Sequence, residues 1–216
     1  MAPENVQLLV ADDHVIIRRG LRFIIEKTYA SVKIDETDSL RGIIKCLIEK
    51  KYTHLILDMQ MQDGNIIELM PTLAANYPKV QIMVYTMSPE DLYGTRMLKL
   101  GAHSFLNKQS DEAEIRNALQ LFLNNKPYLS NKLSDIISAQ KPKQHHDFFG
   151  NLSDRELTVL NYLLKGESLK DIATKLDLKA NTVATFKARL FDKMGVSNLI
   201  DLKTLVETFH QENKNE

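Results

Sequence analysis

Four short stretches of this sequence end on residues that could do chemistry together. Asp12 and Asp13 follow the apolar run Val6–Ala11, and Asp58 follows Leu55–Leu57. Thr86 follows Val80–Tyr85, and Lys108 follows Ser104–Asn107. Carboxylates brought close together repel strongly, even at a protein-like effective dielectric. Such a cluster is tolerable where it holds a hard divalent cation. Mg2+ suits a set of carboxylates, a backbone carbonyl and waters. A metal there can bridge to a phosphoryl group and neutralise its charge. The lysine adds a second cation, and the threonine a hydroxyl able to bond a phosphoryl oxygen. These are the parts for phosphoryl transfer to a carboxylate: nucleophile, metal, lysine and hydroxyl. Each residue has an ordinary alternative. An Asp after a strand often caps a helix or sits in a turn, a Lys there is usually solvated, and a Thr often caps a helix. Specificity comes from the ordered combination.

The four stretches converge only if their runs are strands of one sheet. The first two-thirds of the chain supports this. Short apolar runs alternate with helical periodicity at Val15–Ile25, Leu40–Ile48, Ile66–Leu73, Leu92–Leu100 and Ile115–Leu123. Val32–Glu36 supplies the remaining strand. Five strand–helix repeats predict a parallel five-stranded sheet with helices on both faces. Ligands of such sheets bind beyond the carboxyl ends of the strands, where the polar residues stand.

Composition narrows the function classes. The chain has 216 residues, 44% hydrophobic and 26% charged, enough apolar material for one or two cores. Lys plus Arg equals Asp plus Glu at 28 each, so any attraction to nucleic acid must come from a local patch. A lone Cys46 cannot form an intramolecular disulfide and fits a reducing, cytoplasmic setting. It sits among Ile43, Ile44, Leu47 and Ile48 and is expected in the core. No charged start followed by a long apolar run marks a signal peptide, and no stretch approaches a membrane span. No membrane partner is expected.

Pattern weakens after residue 126. We place a first domain over 1–126, a linker over 127–150 with a short helix at Leu133–Ile137, and a second domain over 151–216. His145 and His146 lie in the polar Lys141–Asp147 stretch and read as a solvated pair rather than metal ligands. The second domain is all helical. Ser153 and Glu156 form a capping box, and Gly166 ends the helix they open. Leu169–Leu176, the turn Leu178–Asn181 and Thr182–Met194, stopped by Gly195, form a helix-turn-helix pattern. Leu199–Phe209 is a fourth helix. Val183, Phe186, Leu190 and Met194 recur at steps of three and four and face the core. Ala184, Thr185, Lys187, Ala188 and Arg189 lie off that stripe, where they would meet DNA. Lys187 and Arg189 suit phosphates or guanine edges, Thr185 a phosphate, and Ala184 and Ala188 thymine methyls. Thr182 stands near the helix start, and Lys179 and Lys193 read as phosphate contacts.

Val10-Ala-Asp-Asp-His, Leu57-Asp58, Tyr85-Thr86 and Gly101-Ala-His-Ser-Phe-Leu-Asn-Lys108 resemble receiver domains of two-component response regulators. Leu152–Leu160, Lys170–Leu176 and Asn181–Val196 resemble the LuxR-type helix-turn-helix domain. The combination resembles the NarL/FixJ class. The resemblance implies a flavodoxin-like (βα)5 receiver and an all-α four-helix DNA-binding domain. It implies that Asp58 accepts the phosphoryl group, and that Asp12, Asp13, Asp58 and the backbone carbonyl of Gln60 hold Mg2+. Thr86 and Phe105 match the switch pair and Lys108 the phosphate-contacting lysine. In that family the hydroxyl moves toward the phosphoryl group, the aromatic ring follows, and the face around the fourth helix and fifth strand repacks. Thr182–Met194 would enter the major groove and Leu199–Phe209 would serve dimerisation.

The sequence departs from that pattern in places. Gln62 stands for the usual proline, and the segment from Met61 to Gly64 is about two residues short. Ser104 replaces a common glycine, and a bulky Met87 stands beside the switch threonine, where it would narrow access to Asp58. The leading reading is a DNA-binding transcription regulator controlled by Mg-dependent phosphorylation of Asp58. Its partners would be promoter DNA, a cognate histidine kinase and, when phosphorylated, a second copy of itself. A regulator without phosphorylation control is the alternative. A small α/β enzyme, such as a phosphatase or flavin protein, is the third. It lacks a second nucleophile–base set and a glycine-rich phosphate loop, and no turnover of an external substrate is expected.

Overall fold

The strand runs are rich in Val, Ile and Leu because helices cover both faces of a parallel sheet. The computed structural model describes residues 5–61, 63–138, 149 and 151–212. The chain divides into two compact units, Met1–Ser138 and Ala139–Glu216.

In the first unit the sheet strands are β1 (Gln7–Ala11), β2 (Lys33–Thr37), β3 (His54–Leu57), β6 (Gln81–Thr86) and β7 (Ser104–Asn107). A two-stranded hairpin, β4 (Gln60–Met61) and β5 (Gly64–Asn65), lies between β3 and the third helix. The helices are α1 (Val15–Thr28), α2 (Leu40–Glu49), α3 (Ile66–Asn76), α4 (Glu90–Lys99), α5 (Glu112–Leu123) and α6 (Asn131–Ser138). The sheet order is β2-β1-β3-β6-β7, every neighbour parallel. The chain steps outward from β1 to β2 and then returns to β3 on the other side of β1. Ala11 pairs with Leu57 in register, so the residues after them emerge side by side at the carboxyl edge. One core cluster beneath the sheet joins Leu8, Val10, Ile25, Ile56, Met83, Leu106, Leu119 and Phe122.

Each expected strand and helix forms, with ends shifted by a few residues. Cys46 is an exception to the packing expected of it. Ile43 and Leu47 form the buried stripe of α2, and Cys46 is half-buried beside it. The hairpin leaves no periodic signal in the sequence. Met61 pairs with Gly64, and the Asp63 carboxylate accepts from the Leu40 and Arg41 amides at 2.9 and 3.1 Å. Asp63 thereby satisfies the amino end of α2. Gly64 has φ +147, and a Cβ there would lie 2.8 Å from Leu40 Cδ1, so the turn accepts no side chain without strain. The short Met61–Gly64 segment is thus a tight hairpin docked on α2. Gln62 lies outside the described residues.

The first unit extends beyond residue 126, into what the sequence reads as linker. Tyr128 is buried, and Leu133 of α6 is fully buried against α4. Two apolar anchors set in a polar stretch leave no periodic signal. His145 and His146 lie outside the described residues.

The second unit contains α7 (Asp154–Leu164), α8 (Leu169–Lys175), α9 (Ala180–Met194) and α10 (Leu199–Glu212). The capping box is complete: Ser153 Oγ accepts the Glu156 amide, and the Glu156 carboxylate accepts the Ser153 amide at 2.7 Å. Leu157, Leu160, Ile172, Val183, Leu190, Met194 and Leu202 fill the core. α9 starts at Ala180, ahead of Thr182, and ends on Gly195 in the left-handed conformation.

One buried group is expected to make the receiver-like unit pH-sensitive. His54 is 1% exposed, with Nε2 3.1 Å from the Phe122 carbonyl and Nδ1 2.8 Å from Thr53 Oγ1. Burial lowers its pKa to about 4. The unfolded chain therefore binds a proton that the folded chain refuses between pH about 6.5 and about 4. Stability is expected to fall by about 1.4 kcal/mol per pH unit through that window. Urea unfolding of the wild type and His54→Gln at pH 7 and pH 5.5 tests this. The wild-type midpoint should drop more than the variant's; equal drops would remove His54 as the cause.

Candidate functional site

β1 delivers Asp12 and β3 delivers Asp58 to adjacent positions, and the Asp58 amide donates to the Ala11 carbonyl at 2.8 Å. Asp12 is 2% and Asp58 5% exposed. Lys108 follows the last residue of β7, and its Nζ lies 2.6 Å from Asp12 Oδ2 and 2.7 Å from Asp58 Oδ2. The lysine is held in place from its backbone, its amide donating to the Thr86 carbonyl at 2.9 Å. Asp12, Asp13, His14 and Asp58 each offer a ligand atom, all within 4.8 Å of one another. Arg18 supports the first strand end, donating to the Asp12 carbonyl at 2.5 Å. Burial pushes the Asp58 carboxyl up, against the pull of Lys108.

Gln60 also stands beside Asp58. The Gln60 amide faces Asp58 Oδ1 at 3.4 Å. Because the Ile66 amide bonds the Met59 carbonyl, Gln60 and Asn65 form a non-hydrogen-bonded pair, and the Gln60 carbonyl turns out of the hairpin ladder. The Thr86 hydroxyl is buried; it donates to Ser88 Oγ at 3.3 Å and accepts the Ser88 amide at 3.2 Å. Phe105 is fully buried. Met87 is 57% exposed, with most of its side chain in solvent. Sequence reasoning did not assign roles to His14, Arg18 or Ser88. His14 was legible as a potential ligand from its place beside the Asp pair. The other two depend on tertiary proximity.

On the second unit, Val183, Leu190 and Met194 are buried and Phe186 half-buried, as the periodic stripe requires. Lys179, Thr185, Ala188 and Arg189 are exposed, and Thr182, Ala184 and Lys187 half-exposed. Lys179 is the N-cap of α9 and makes no side-chain cap, so Thr182 lies inside the helix rather than capping it. Thr185 Oγ1 donates back to the Asn181 carbonyl at 3.0 Å, and Lys187 Nζ rests 5.0 Å from the Phe191 ring centroid. Lys193 is tethered within its own unit. Its Nζ lies 2.7 Å from Glu156 Oε2 and donates to the Asn151 carbonyl at 3.0 Å. Glu156 is buried and pulls the ammonium onto the capping box, which ties α9 to α7.

Residues 8–120 match the response regulator receiver domain family, and residues 150–206 match the luxR family of bacterial regulatory proteins. The chain belongs to the response regulators of the NarL/FixJ class. Two curated relatives align over nearly their whole length. The Fimbriae Z protein of Salmonella typhimurium is 30% identical, with 94% of this chain and 95% of the relative covered. The virulence-factor transcription regulator BvgA of Bordetella pertussis is 32% identical, with 93% and 96% covered. Among solved structures, RcsB of Salmonella enterica serovar Typhimurium, bound to promoter rprA with the phosphomimetic BeF3−, superposes with a TM-score of 0.72. It is 26% identical, with 94% of this chain and 99% of that chain covered. This response regulator therefore carries a LuxR-type DNA-binding domain, and its relatives are transcription regulators rather than enzymes.

The receiver's acidic pocket fits a divalent cation. Three carboxylates, Asp12, Asp13 and Asp58, against one ammonium, Lys108, leave two negative charges. Asp13 Oδ1 is buried and, among the described residues, accepts no hydrogen bond; its polar contact is the ion-pair approach of His14 Nδ1 at 2.7 Å. An oxygen in that position lacks what a cation would give it. Mg2+ at about one hundred times its dissociation constant should stabilise the receiver by about 2.7 kcal/mol. Asp13→Asn should remove most of that gain, because it deletes one of the carboxylate charges of the cluster. Thermal unfolding with and without Mg2+ measures both. An Asp13→Asn protein that gains as much as the wild type would move the cation elsewhere.

Proposed function

We propose that this response regulator is a sequence-specific transcription regulator controlled by Mg-dependent phosphorylation of Asp58. The observation that carries the reading is Asp58 itself, buried at the sheet's carboxyl edge beside the Asp12–Asp13 pair and bridged to Asp12 by the Lys108 ammonium. An Asp58 carboxylate oxygen attacks phosphorus, the new P–O bond forms, and the leaving group departs with the electrons of the bond that breaks. The donor is a phosphohistidine of a cognate kinase or a small acyl phosphate. Asp12, Asp13, Asp58 and the Gln60 carbonyl would hold Mg2+, which when bound neutralises charge on the phosphoryl oxygens. Lys108 balances the product's charge, and Thr86 offers its hydroxyl to a phosphoryl oxygen. Phe105 then repacks with α4. The protein turns over no external substrate.

The output is promoter DNA. Lys179, Thr182, Ala184, Thr185, Lys187, Ala188 and Arg189 present α9 to the major groove. Lys193, held by Glu156, joins no phosphate in this reading. Ile200 on α10, 76% exposed, supports a dimer through that helix, placing two α9 helices on paired half-sites. A DNA-binding regulator of this kind works in the cytoplasm.

The test is incubation with acetyl phosphate and Mg2+, read by intact mass and sedimentation. One phosphoryl addition, absent in Asp58→Ala and accompanied by dimer growth, is the expected result. No addition from acetyl phosphate or the kinase, with DNA still bound, would favour a regulator without phosphorylation control. The short hairpin beside Asp58 is the feature that favours this second reading.

A further inference from the structure

Ser104, where receivers commonly carry glycine, is fully buried, and its hydroxyl accepts the Tyr128 amide at 2.9 Å. The next residue, the switch aromatic Phe105, donates its own amide to the Tyr128 carbonyl at 3.3 Å. β7 is the edge strand, so Tyr128 closes part of that edge with both of its backbone groups. The Tyr128 hydroxyl bonds Glu114 of α5.

The segment then crosses to α4. Ser130 Oγ donates to Glu90 Oε2 at 2.8 Å and accepts the Leu133 amide at 3.0 Å. Lys132 Nζ lies 3.1 Å from Asp91 Oδ2, a side chain 2% exposed. Leu133 is fully buried over Gly94, where an added Cβ would meet Leu133 Cδ1 at 2.8 Å. Glycine inside a helix costs about 1 kcal/mol relative to alanine. Here it gives α6 a close seat on α4.

The segment is thus fastened at two places: on β7 through Tyr128, and on α4 through Ser130, Lys132 and Leu133. A displacement of α4 against β7 cannot satisfy both sets of bonds. We propose that Tyr128–Ser138 is a clasp that holds the α4–β7 face in its resting packing and is released when Asp58 is phosphorylated. The inference rests on the Asp58 reading above. The released segment leads directly toward the DNA-binding unit in sequence, so the clasp is where the receiver's state reaches the rest of the chain. Ser104 acts in it as a positioning residue.

Amide hydrogen exchange on the full-length protein, with and without beryllofluoride and Mg2+, tests the clasp, with site occupancy read by fluorine NMR on the same sample. Bound beryllofluoride should speed exchange at Leu133 and Ser134 by roughly 5- to 150-fold, the range of ordinary allosteric coupling. Leu133→Ala and Gly94→Ala loosen the clasp beforehand. Reciprocity then requires each to bind beryllofluoride more tightly than the wild type. Gly94→Ala guards against simple unfolding, because alanine favours the helix it enters. Bound beryllofluoride with unchanged exchange over 128–138, or unchanged affinity in both variants, overturns the clasp and leaves the Asp58 reading intact. No bound signal in the wild type or either variant overturns the Asp58 reading, and the release step falls with it.

Discussion

Lys108→Ala is expected to destabilise the receiver by roughly 3–5 kcal/mol at pH 8 without Mg2+, the usual cost of removing one partner from a buried charge pair. The wild-type ammonium touches Asp12 and Asp58 at 2.6 and 2.7 Å, and the lysine, Asp12 and Asp58 side chains are 3%, 3% and 6% exposed. Water therefore screens little of the interaction. Without the lysine, Asp12 and Asp58 lose the ammonium that touches both. Burial already raises the Asp58 pKa, and removing Lys108 raises it further. The sign follows from proton linkage. A folded state that holds its proton to higher pH is penalised once pH exceeds the unfolded carboxylate value near 4. The deficit of the variant should therefore be small near pH 4, grow as pH rises through the raised folded pKa, and then level off. Added Mg2+ should recover part of it. Urea unfolding across pH 5 to 8 reads all of this. A variant as stable as the wild type at pH 8 would mean that the lysine does not neutralise the cluster.

The second large effect is expected on α9. Arg189 is exposed, off the buried Val183–Leu190–Met194 stripe. Arg189→Ala should weaken a duplex selected by the wild-type protein from a random pool by about 1–3 kcal/mol, and relax preference at one base pair. Lys187→Ala should weaken all duplexes more evenly and reduce the salt slope by about 1. Lys193→Ala provides the contrast. Its ammonium is held by Glu156 and the Asn151 carbonyl, so the variant should lower the unfolding midpoint of the second unit and leave salt dependence nearly unchanged. Fluorescence anisotropy over a salt series separates the three. A Lys193→Ala protein with a reduced salt slope would return that lysine to the DNA.

Most of the receiver was legible because its signals are local and repetitive. Apolar runs of strand length alternate with helical periodicity, and a polar residue ends each strand that builds the pocket. Parallel strands put all their carboxyl ends on one edge, so Asp12, Asp58, Thr86 and Lys108 had to arrive there together. The capping box of α7 and the buried stripe of α9 were equally local, since three- and four-residue steps define a helix face by themselves.

What the sequence did not determine depends on partners distant in the chain. Lys193 reads from sequence as a phosphate contact, and only the fold reveals that α7 brings Glu156 beneath it. Ser104 reads as a departure from a common glycine until Tyr128 folds back and gives its hydroxyl a donor. The short Met61–Gly64 segment reads as a defect until Asp63 is found capping α2. Residues 127–138 read as linker because their apolar anchors are too few for periodicity, yet Leu133 finds a seat over Gly94. In each case the deciding contact joins residues far apart in sequence, and only the tertiary structure specifies which buried polar group or open helix face receives it.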